Sequence, residues 1–404
     1  MSTDLIQDDG SIASQLRTLE EWKPKCLTLS QEQLDELLQS PSKILEVRPL
    51  GGGRYRLRPK SFVGCVRVGT MDVRIRPKTP MPTLLSILAE VHELPELRSE
   101  TVAYDSDTNI VDLLVQSFLV EVQNVVRQGL RRTYAQESDE LIAIRGRIEF
   151  SQTIRMGLRG MAKTYCSFEE FTLDASENRL LLAGLRAVTK EAWLPPNRRN
   201  SAHRMGCEFL GVDELNLQEA LSLDFQKDRL NQGYFPALNL AKLVLEALGV
   251  TQELGSKQAR GFLVNMNQLF ELYVERKLRS ILSVEGIQVH AQNERSFDEG
   301  GMSKIRPDLL LQHQSGRRLV ADVKYKTGVK AKESDLYQML TYCRILKIRN
   351  GVLITVGPGP GVRYKVCDGS TVIDVIPVNL DGDLEAIEQS IQLLTNQLRD
   401  RMIR

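Results

Sequence analysis

Three side chains in the last third of this 404-residue chain have the types and spacing for phosphodiester chemistry. Ile305-Arg306-Pro307-Asp308-Leu309 is followed by Val320-Ala321-Asp322-Val323-Lys324-Tyr325-Lys326. Asp322 and Lys324 lie two apart, so on a strand they share a face. A turn at Gln314-Ser315-Gly316 would pair the two segments as a hairpin and bring Asp308 toward that face. Two carboxylates and an ammonium then converge. Hard carboxylate oxygens can hold Mg²⁺, which keeps several waters and can take a phosphate oxygen. Such a metal lowers the pKa of a bound water and stabilises charge on the phosphate. The lysine can orient or help deprotonate the attacking water, and it stabilises negative charge. Glu271, on the preceding helix, is a candidate third metal ligand or ligand-positioner. Gln338 and Tyr342, four apart on the following helix, share a face that could reach the same point. The ordinary alternative is a surface hairpin carrying a salt bridge.

These residues need an α/β frame, and the flanking sequence predicts one. A helix over about 264–282 leads to a strand at 288–292. The hairpin pairs 304–312 with 318–326. A helix at 334–346, an apolar strand at 352–356, strands at 362–366 and 371–378, and a helix at 384–398 follow. Upstream the pattern is different. Ser30 can cap a short helix carrying Leu34, Leu37 and Leu38. Residues 43–77 alternate with period two, with Arg54, Arg56 and Arg58 between Tyr55 and Leu57. Gly51 to Gly53 and Gly69-Thr70-Met71-Asp72 read as turns. Helical spacing returns at 84–91 and 110–130, and a strand pair is expected around 141–150. Ser176 can cap a helix over 176–192 that Pro195-Pro196-Asn197 would end. Residues 214–250 read as mainly helical, interrupted near 233–236. The expected fold is therefore α+β and multidomain. It has an acidic segment at 1–41, a β-rich unit at 42–155, a helical middle at 156–255 and an α/β domain at 256–404.

Composition narrows the class. Lys plus Arg number 53 and Asp plus Glu 52, with 42% hydrophobic residues, ordinary for a folded soluble chain. No apolar run is long enough for a membrane span, and the acidic start lacks a signal-peptide core. The six cysteines form no CxxC pair, which fits a reducing cytoplasm. Charge is uneven: residues 1–41 carry −5, residues 42–78 carry +8 and residues 302–349 carry +7. Such basic blocks suit a phosphate backbone, or are simply solvated faces. Gly357-Pro358-Gly359-Pro360-Gly361 is no P-loop, because no Gly-Lys-Ser/Thr follows and proline lacks an N–H. His92, His203, His290 and His313 show no metal-ligand spacing. Asp105, Asp107 and Asp112 read as helix-entry acids rather than calcium ligands.

The Asp308, Asp322 and Lys324 pattern resembles the PD-(D/E)xK nuclease superfamily. The wider chain is similar to the McrC family, the nuclease subunits of McrBC-type modification-dependent restriction systems. Val63-Gly64 through Ile75-Arg76-Pro77-Lys78 resembles that family's N-terminal β-unit. Ile144-Arg145-Gly146-Arg147-Ile148 resembles its Arg-Gly-Arg strand. Phe171-Thr172-Leu173-Asp174 with Glu177-Asn178-Arg179-Leu180 resembles its Asn-Arg helix. Met266-Asn267-Gln268-Leu269-Phe270-Glu271 resembles the helix ahead of the nuclease hairpin. Asn178 and Arg179 also have a plain structural reading, helix-end hydrogen bonding and a salt bridge. The resemblance implies a PD-(D/E)xK domain, Mg²⁺, double-stranded DNA as substrate and a McrB-like AAA+ GTPase hexamer as partner. It also implies that the N-terminal part enters the ring and stimulates GTP hydrolysis. The basic block at 42–78 could then meet an acidic ring surface or DNA. The rivals are a non-catalytic adaptor that activates the ring and a DNA-binding structural protein.

Overall fold

The computed structural model describes residues 16–39, 44–68, 71–94, 110–157, 163–191, 194–229, 231–253, 259–292, 294–298, 300–327, 331–367, 369–382 and 384–403. The chain divides into two compact units, one of residues 1–110 with 251–404, the other of residues 111–250. The division read from the sequence had cuts at 41, 155 and 255; the compact units instead cut the chain at 110 and 250.

The first unit begins with β1 (Leu16–Glu20), β2 (Lys25–Thr28), α1 (Gln31–Gln39), β3 (Leu45–Gly51), β4 (Arg54–Pro59), β5 (Phe62–Val68), β6 (Met71–Arg76) and α2 (Met81–Val91). The Ser30 cap is present: its Oγ accepts from Gln33 N–H at 3.2 Å while Gln33 Oε1 takes Ser30 N–H at 3.1 Å. The described part of the acidic start, residues 16–39, is not a separate segment. β1 pairs in parallel with β6, and β2 pairs with β4. The period-two reading of 43–77 is matched by sheets β2-β4-β3 and β1-β6-β5-β10, where β10 is Ala259–Asn265. β5 and β10 approach closely. A Cβ on Gly64, whose φ is +135°, would lie 2.2 Å from the Phe262 carbonyl oxygen. Only glycine fits there.

The second unit holds α3 (Ile110–Gln128), β7 (Thr133–Leu141), β8 (Arg147–Ile148), α4 (Phe150–Gly157), β9 (Thr164–Thr172), α5 (Ser176–Lys190), α6 (Pro196–Gly206), α7 (Leu217–Ser222) and α8 (Phe235–Glu253). Three expectations are corrected. The strands near 141–150 do not pair with each other; both β7 and β8 pair with β9, so this stretch is not purely helical. Ala175, not Ser176, stands at the N-cap of α5 and makes no side-chain cap bond. Pro196 opens α6 rather than merely ending α5, since proline at the first helical position forfeits no intrahelical bond.

After β10 the first unit continues with α9 (Met266–Ser283), β11 (Ile287–Ala291), β12 (Arg295–Ser296), β13 (Lys304–Ile305), β14 (Leu309–His313), β15 (Arg318–Thr327) and α10 (Glu333–Leu346). It ends with β16 (Asn350–Val356), β17 (Val362–Lys365), β18 (Val372–Val378) and α11 (Leu384–Ile403). Val264 belongs to a strand, and α9 starts two residues later than expected because Asn265 caps it, accepting from the N–H groups of Asn267 and Gln268. The six-stranded sheet runs β11-β14-β15-β16-β18-β17. α9 and α11 pack on it from one side, with Phe270 against Tyr325 at 5.8 Å between ring centroids. α10 covers the other face, burying Met339, Tyr342, Cys343 and Leu346 against Leu310, Val320, Leu353 and Val375. The fold is mixed α and β with several sheets, as the sequence indicated. No described helix is long and apolar enough to cross a membrane.

Candidate active site

The hairpin forms between Leu309–Gln312 and Arg318–Ala321, while Lys304 and Ile305, expected to extend it, pair instead with Ser296 and Arg295. The β14–β15 ladder ends at Leu309 opposite Ala321, so Asp308 and Asp322 flank its end on adjacent strands. Pro307 has no N–H, and the first strand breaks over 306–308, which frees Asp308 from the ladder. Its Oδ2 accepts the Val323 N–H at 2.7 Å. Along β15, Val320, Asp322 and Lys324 alternate with Ala321, Val323 and Tyr325, so Asp322 and Lys324 face the α10 side.

Asp322 is 1% exposed, and Lys324 Nζ lies 2.6 Å from its Oδ2 as an ion pair. Apart from the Lys324 ammonium, neither Asp322 oxygen has a hydrogen-bond donor. A buried carboxylate left this way is costly unless another cation completes its surroundings. Burial, with the Asp322 charge adding to it, pushes Asp308 up to about 7; the Val323 N–H bond opposes this and the Glu271 charge adds to it. Burial alone would lower Lys324, but the Asp322 carboxylate outweighs it and holds the ammonium above the ordinary lysine range. Lys324 therefore keeps its proton at neutral pH.

The supporting residues are arranged around this point in two chains. Gln292, at the end of β11, donates from Nε2 to Glu271 Oε1 at 2.8 Å, and its backbone N–H reaches Asp308 O at 2.8 Å. Its Oε1 accepts from the Arg306 guanidinium. On the other side Gln338 donates to Tyr342 Oη at 2.7 Å, and Tyr342 donates to Arg306 O at 3.3 Å. Burial, reinforced by Asp322, raises the Tyr342 phenol pKa. Gln338 and Tyr342 thus hold the Arg306-Pro307-Asp308 corner, and Glu271 is tied to it through Gln292 while its charge reaches Asp308. Among the described residues, no three His, Cys, Asp or Glu side chains gather into a metal cage. Two carboxylates are enough for Mg²⁺, which keeps waters in its remaining positions, and Asp322, whose Oδ1 has no donor, fits such an ion.

Gln292 and Arg306 carried no recognisable signal of their own, since a strand-end glutamine and a loop arginine are common. A further ion pair, Lys326 Nζ to Asp335 at 3.1 Å, ties β15 to α10. On the opposite face of β15, Tyr325 donates to the buried Glu21 at 3.2 Å and lies 3.1 Å from Thr79 Oγ1. Lys78 Nζ sits 4.1 Å from the Tyr325 ring centroid. Burial, opposed by Lys78, pushes Glu21 up to about 7. This cluster anchors the strand carrying Asp322 and Lys324 to the β1–β6 end of the N-terminal sheet.

The other motif residues have structural work. Asn178, fully buried, donates to the carbonyls of Arg131 and Leu173 at 2.7 Å and accepts from Tyr234 at 3.3 Å. Arg179 grips Asp174 with two nitrogens. Gly146 has φ +68°, and a Cβ there would lie 2.4 Å from Ser167 O, so it lets the Arg145-Gly146-Arg147 turn lie on β9. Among the four histidines, half-buried His92 is held down to about 4 by desolvation, with nearby Arg276 adding to it.

A family model described as the McrBC 5-methylcytosine restriction system component matches residues 57–355. A protein of Escherichia coli (strain K12), the Type IV methyl-directed restriction enzyme EcoKMcrBC, is 22% identical over 319 residues, 74% of this chain and 91% of the relative. Among solved structures, the chain resembles one chain of a half-complex from a tetradecameric assembly of Thermococcus gammatolerans McrB AAA+ hexamers with bound McrC. That likeness has a TM-score of 0.61 at 18% identity and covers 95% of this chain and 100% of the other, so it is a likeness of fold.

Proposed function

Because the chain belongs to the McrBC 5-methylcytosine restriction system component family, we propose that it is the nuclease subunit of such a system. It is a Mg²⁺-dependent endodeoxyribonuclease of the PD-(D/E)xK type that docks on a McrB-like AAA+ GTPase hexamer, stimulates it, and cuts double-stranded DNA. The observation that carries this reading is the meeting of Asp308, Asp322 and Lys324 at the open end of one hairpin, with Asp322 buried and given no donor besides Lys324. The fold shared with a chain from an assembly of McrB AAA+ hexamers with bound McrC supports the partner.

Asp308 and Asp322 would hold the Mg²⁺, with Asp308 aimed by the Val323 N–H. When bound, the ion supplies Lewis-acid stabilisation of the phosphate and a water of lowered pKa. Lys324, protonated at neutral pH, places its ammonium beside the scissile phosphate and offsets the charge that builds in the transition state. Glu271 acts through Gln292, and Gln338 through Tyr342, to fix the Arg306-Pro307-Asp308 corner. They are positioning residues. A non-catalytic adaptor would have no use for a buried aspartate whose one donor is Lys324, and such a cost is ordinarily retained for function.

The test incubates the chain with its partner ring, GTP, Mg²⁺ and methylated DNA, omitting each component in turn. Cleavage is expected only from the complete mixture. Equal cleavage in a chelator would overturn the metal dependence, and no cleavage in the complete mixture would overturn the nuclease reading.

A further inference from the structure

We propose that the exposed face of the β2-β4-β3 sheet is a second DNA contact of this chain, a surface for the phosphate backbone of a duplex. This rests on the reading above, in that DNA is taken as the substrate. The sheet's register sets the face. Arg54, Arg56 and Arg58 alternate along β4, and Arg56 stands directly opposite Arg48 on β3 and Cys26 on β2. Glu46 stands opposite Arg58, and Thr28 opposite Arg54. All four arginines are exposed, whereas Leu57 and Leu45, on the reverse face, are buried.

Two features of this face are unfavourable for the folded chain by itself. Like charges directly opposite on neighbouring strands repel, and Arg48 faces Arg56. Arg54 and Arg56 have no ion pair among the described residues. Glu46, the acid on this face, is already bound by Arg48. That hydrogen bond, with charge from Arg58 and Lys60 beyond it, holds Glu46 below the ordinary carboxylate range. Arg58 donates to Trp22 O at 3.2 Å and lies 5.4 Å from the Trp22 ring centroid, so the acid that offsets its charge is Glu46, which it shares with Arg48. Pro24, Glu46, Arg48, Arg56 and Arg58 line a shared depression. An anion seated there would relieve the repulsion.

The spacing and chemistry favour a nucleic-acid backbone over a protein. Alternate residues of an antiparallel strand stand about 6.8 Å apart. Phosphates of a B-DNA strand rise about 3.4 Å each along the axis while winding around it, which puts neighbouring phosphates about 7 Å apart in space, so this row matches consecutive phosphates. Interfaces with proteins carry an apolar or aromatic centre and few charges, while interfaces with DNA are polar and strongly positive. Here the centre of the face is arginine, with the apolar side chains turned inward. The face and the nuclease hairpin also belong to the same compact unit. A duplex held at this sheet would add affinity without contributing to the chemistry.

The test measures binding of the full chain to a short labelled duplex in a chelator, by fluorescence anisotropy across a salt series. The double variant Arg54→Ala/Arg56→Ala should lower the slope of log affinity against log salt by about 1.8, two contacts at about 0.9 each. At about 0.15 M salt that corresponds to roughly a 30-fold loss. Arg54→Lys/Arg56→Lys, which keeps the charge, should retain most of the slope. An unchanged slope and affinity in the alanine variant would overturn the proposal, as would a wild-type chain that does not bind the duplex. So would an alanine variant that binds DNA normally yet loses the partner ring, because the face would then be a protein dock. The readout is independent of cleavage. If the wild-type chain cuts DNA and the alanine variant binds unchanged, only this proposal fails. If binding depends on the arginines but no cleavage occurs with ring, GTP and Mg²⁺, only the nuclease reading fails.

Discussion

A fragment of residues 42–255, which the sequence pattern suggests as a self-contained ring-binding part, should fail to fold over its N-terminal β-unit. The cut at 255 removes β10, which pairs with β5 at seven positions. The cut at 42 removes β1 and β2, the partners of β6 and β4. Sheet β1-β6-β5-β10 is reduced to the β5–β6 hairpin, and a two-stranded hairpin is marginal in water. Among the lost side chains, Leu19, Leu29, Phe262, Leu263 and Val264 are all buried. At about 1.5–3 kcal/mol for each buried apolar side chain, their removal forfeits roughly 7–15 kcal/mol, an upper bound that rivals the whole stability of a domain. The assay is limited trypsin digestion with mass spectrometry of the resistant core. In the fragment the core should begin after residue 94 and correspond to the second compact unit. A fragment carrying residues 16–265 regains all three strands and should protect 44–76 as well. A resistant core from the short fragment that includes β3 to β6 would refute this reasoning.

Other outcomes follow from the same structure. Glu21 has a folded pKa near 7 against an ordinary 4.5, so the folded state keeps a proton that the unfolded state has released between those values. Its stabilising contribution is complete below pH 4.5 and is lost as pH rises through 7, by about 3 kcal/mol. Urea unfolding of wild type and Glu21→Gln across that window should show this decline in the wild type and a flatter profile in the variant; identical profiles would contradict it. Gly64→Ala should lower stability by about 1–3 kcal/mol from its backbone conformation alone, before the clash with Phe262 O is counted; an unchanged melting temperature would contradict the close β5–β10 approach. Glu271→Gln, which can still accept from Gln292, should retain more cleavage than Glu271→Ala; equal and complete loss in both would point to a direct metal role for Glu271.

The hairpin was readable in the sequence because its information is local. A Gly-containing turn, an apolar run on either side and a two-residue spacing fix which side chains share a face. The frame around it was readable for the same reason, and α10, β16 and α11 lie close to where periodicity predicts them. What periodicity could not supply is partnership across distance. Phe262-Leu263-Val264 reads equally well as the start of a helix. It is a strand because β5, far earlier in the chain, offers it an edge with glycine at the point of closest approach. β9 was hidden similarly, since Thr164–Thr172 mixes polar and apolar residues and is defined by β7 and β8 on either side. The roles of Glu271, Gln338 and Tyr342 depend on Gln292 and Arg306, whose importance comes from geometry and not from residue type.

Whether Asp308, Asp322 and Lys324 form a hydrolytic centre is tested most directly with Asp322→Asn. The variant removes one charge and leaves the side chain's size unchanged. Because Asp322 is buried and paired with Lys324, the melting temperature of the variant is measured alongside, so that a loss of fold is told apart from a loss of chemistry. The measurement is the rate of methylated-DNA cleavage by wild type and variant, each assembled with the partner ring, GTP and Mg²⁺ and each shown to stimulate GTP hydrolysis equally. Cleavage is predicted to fall by on the order of 100-fold or more while GTP hydrolysis is unchanged. Cleavage by Asp322→Asn at the wild-type rate would contradict the assignment.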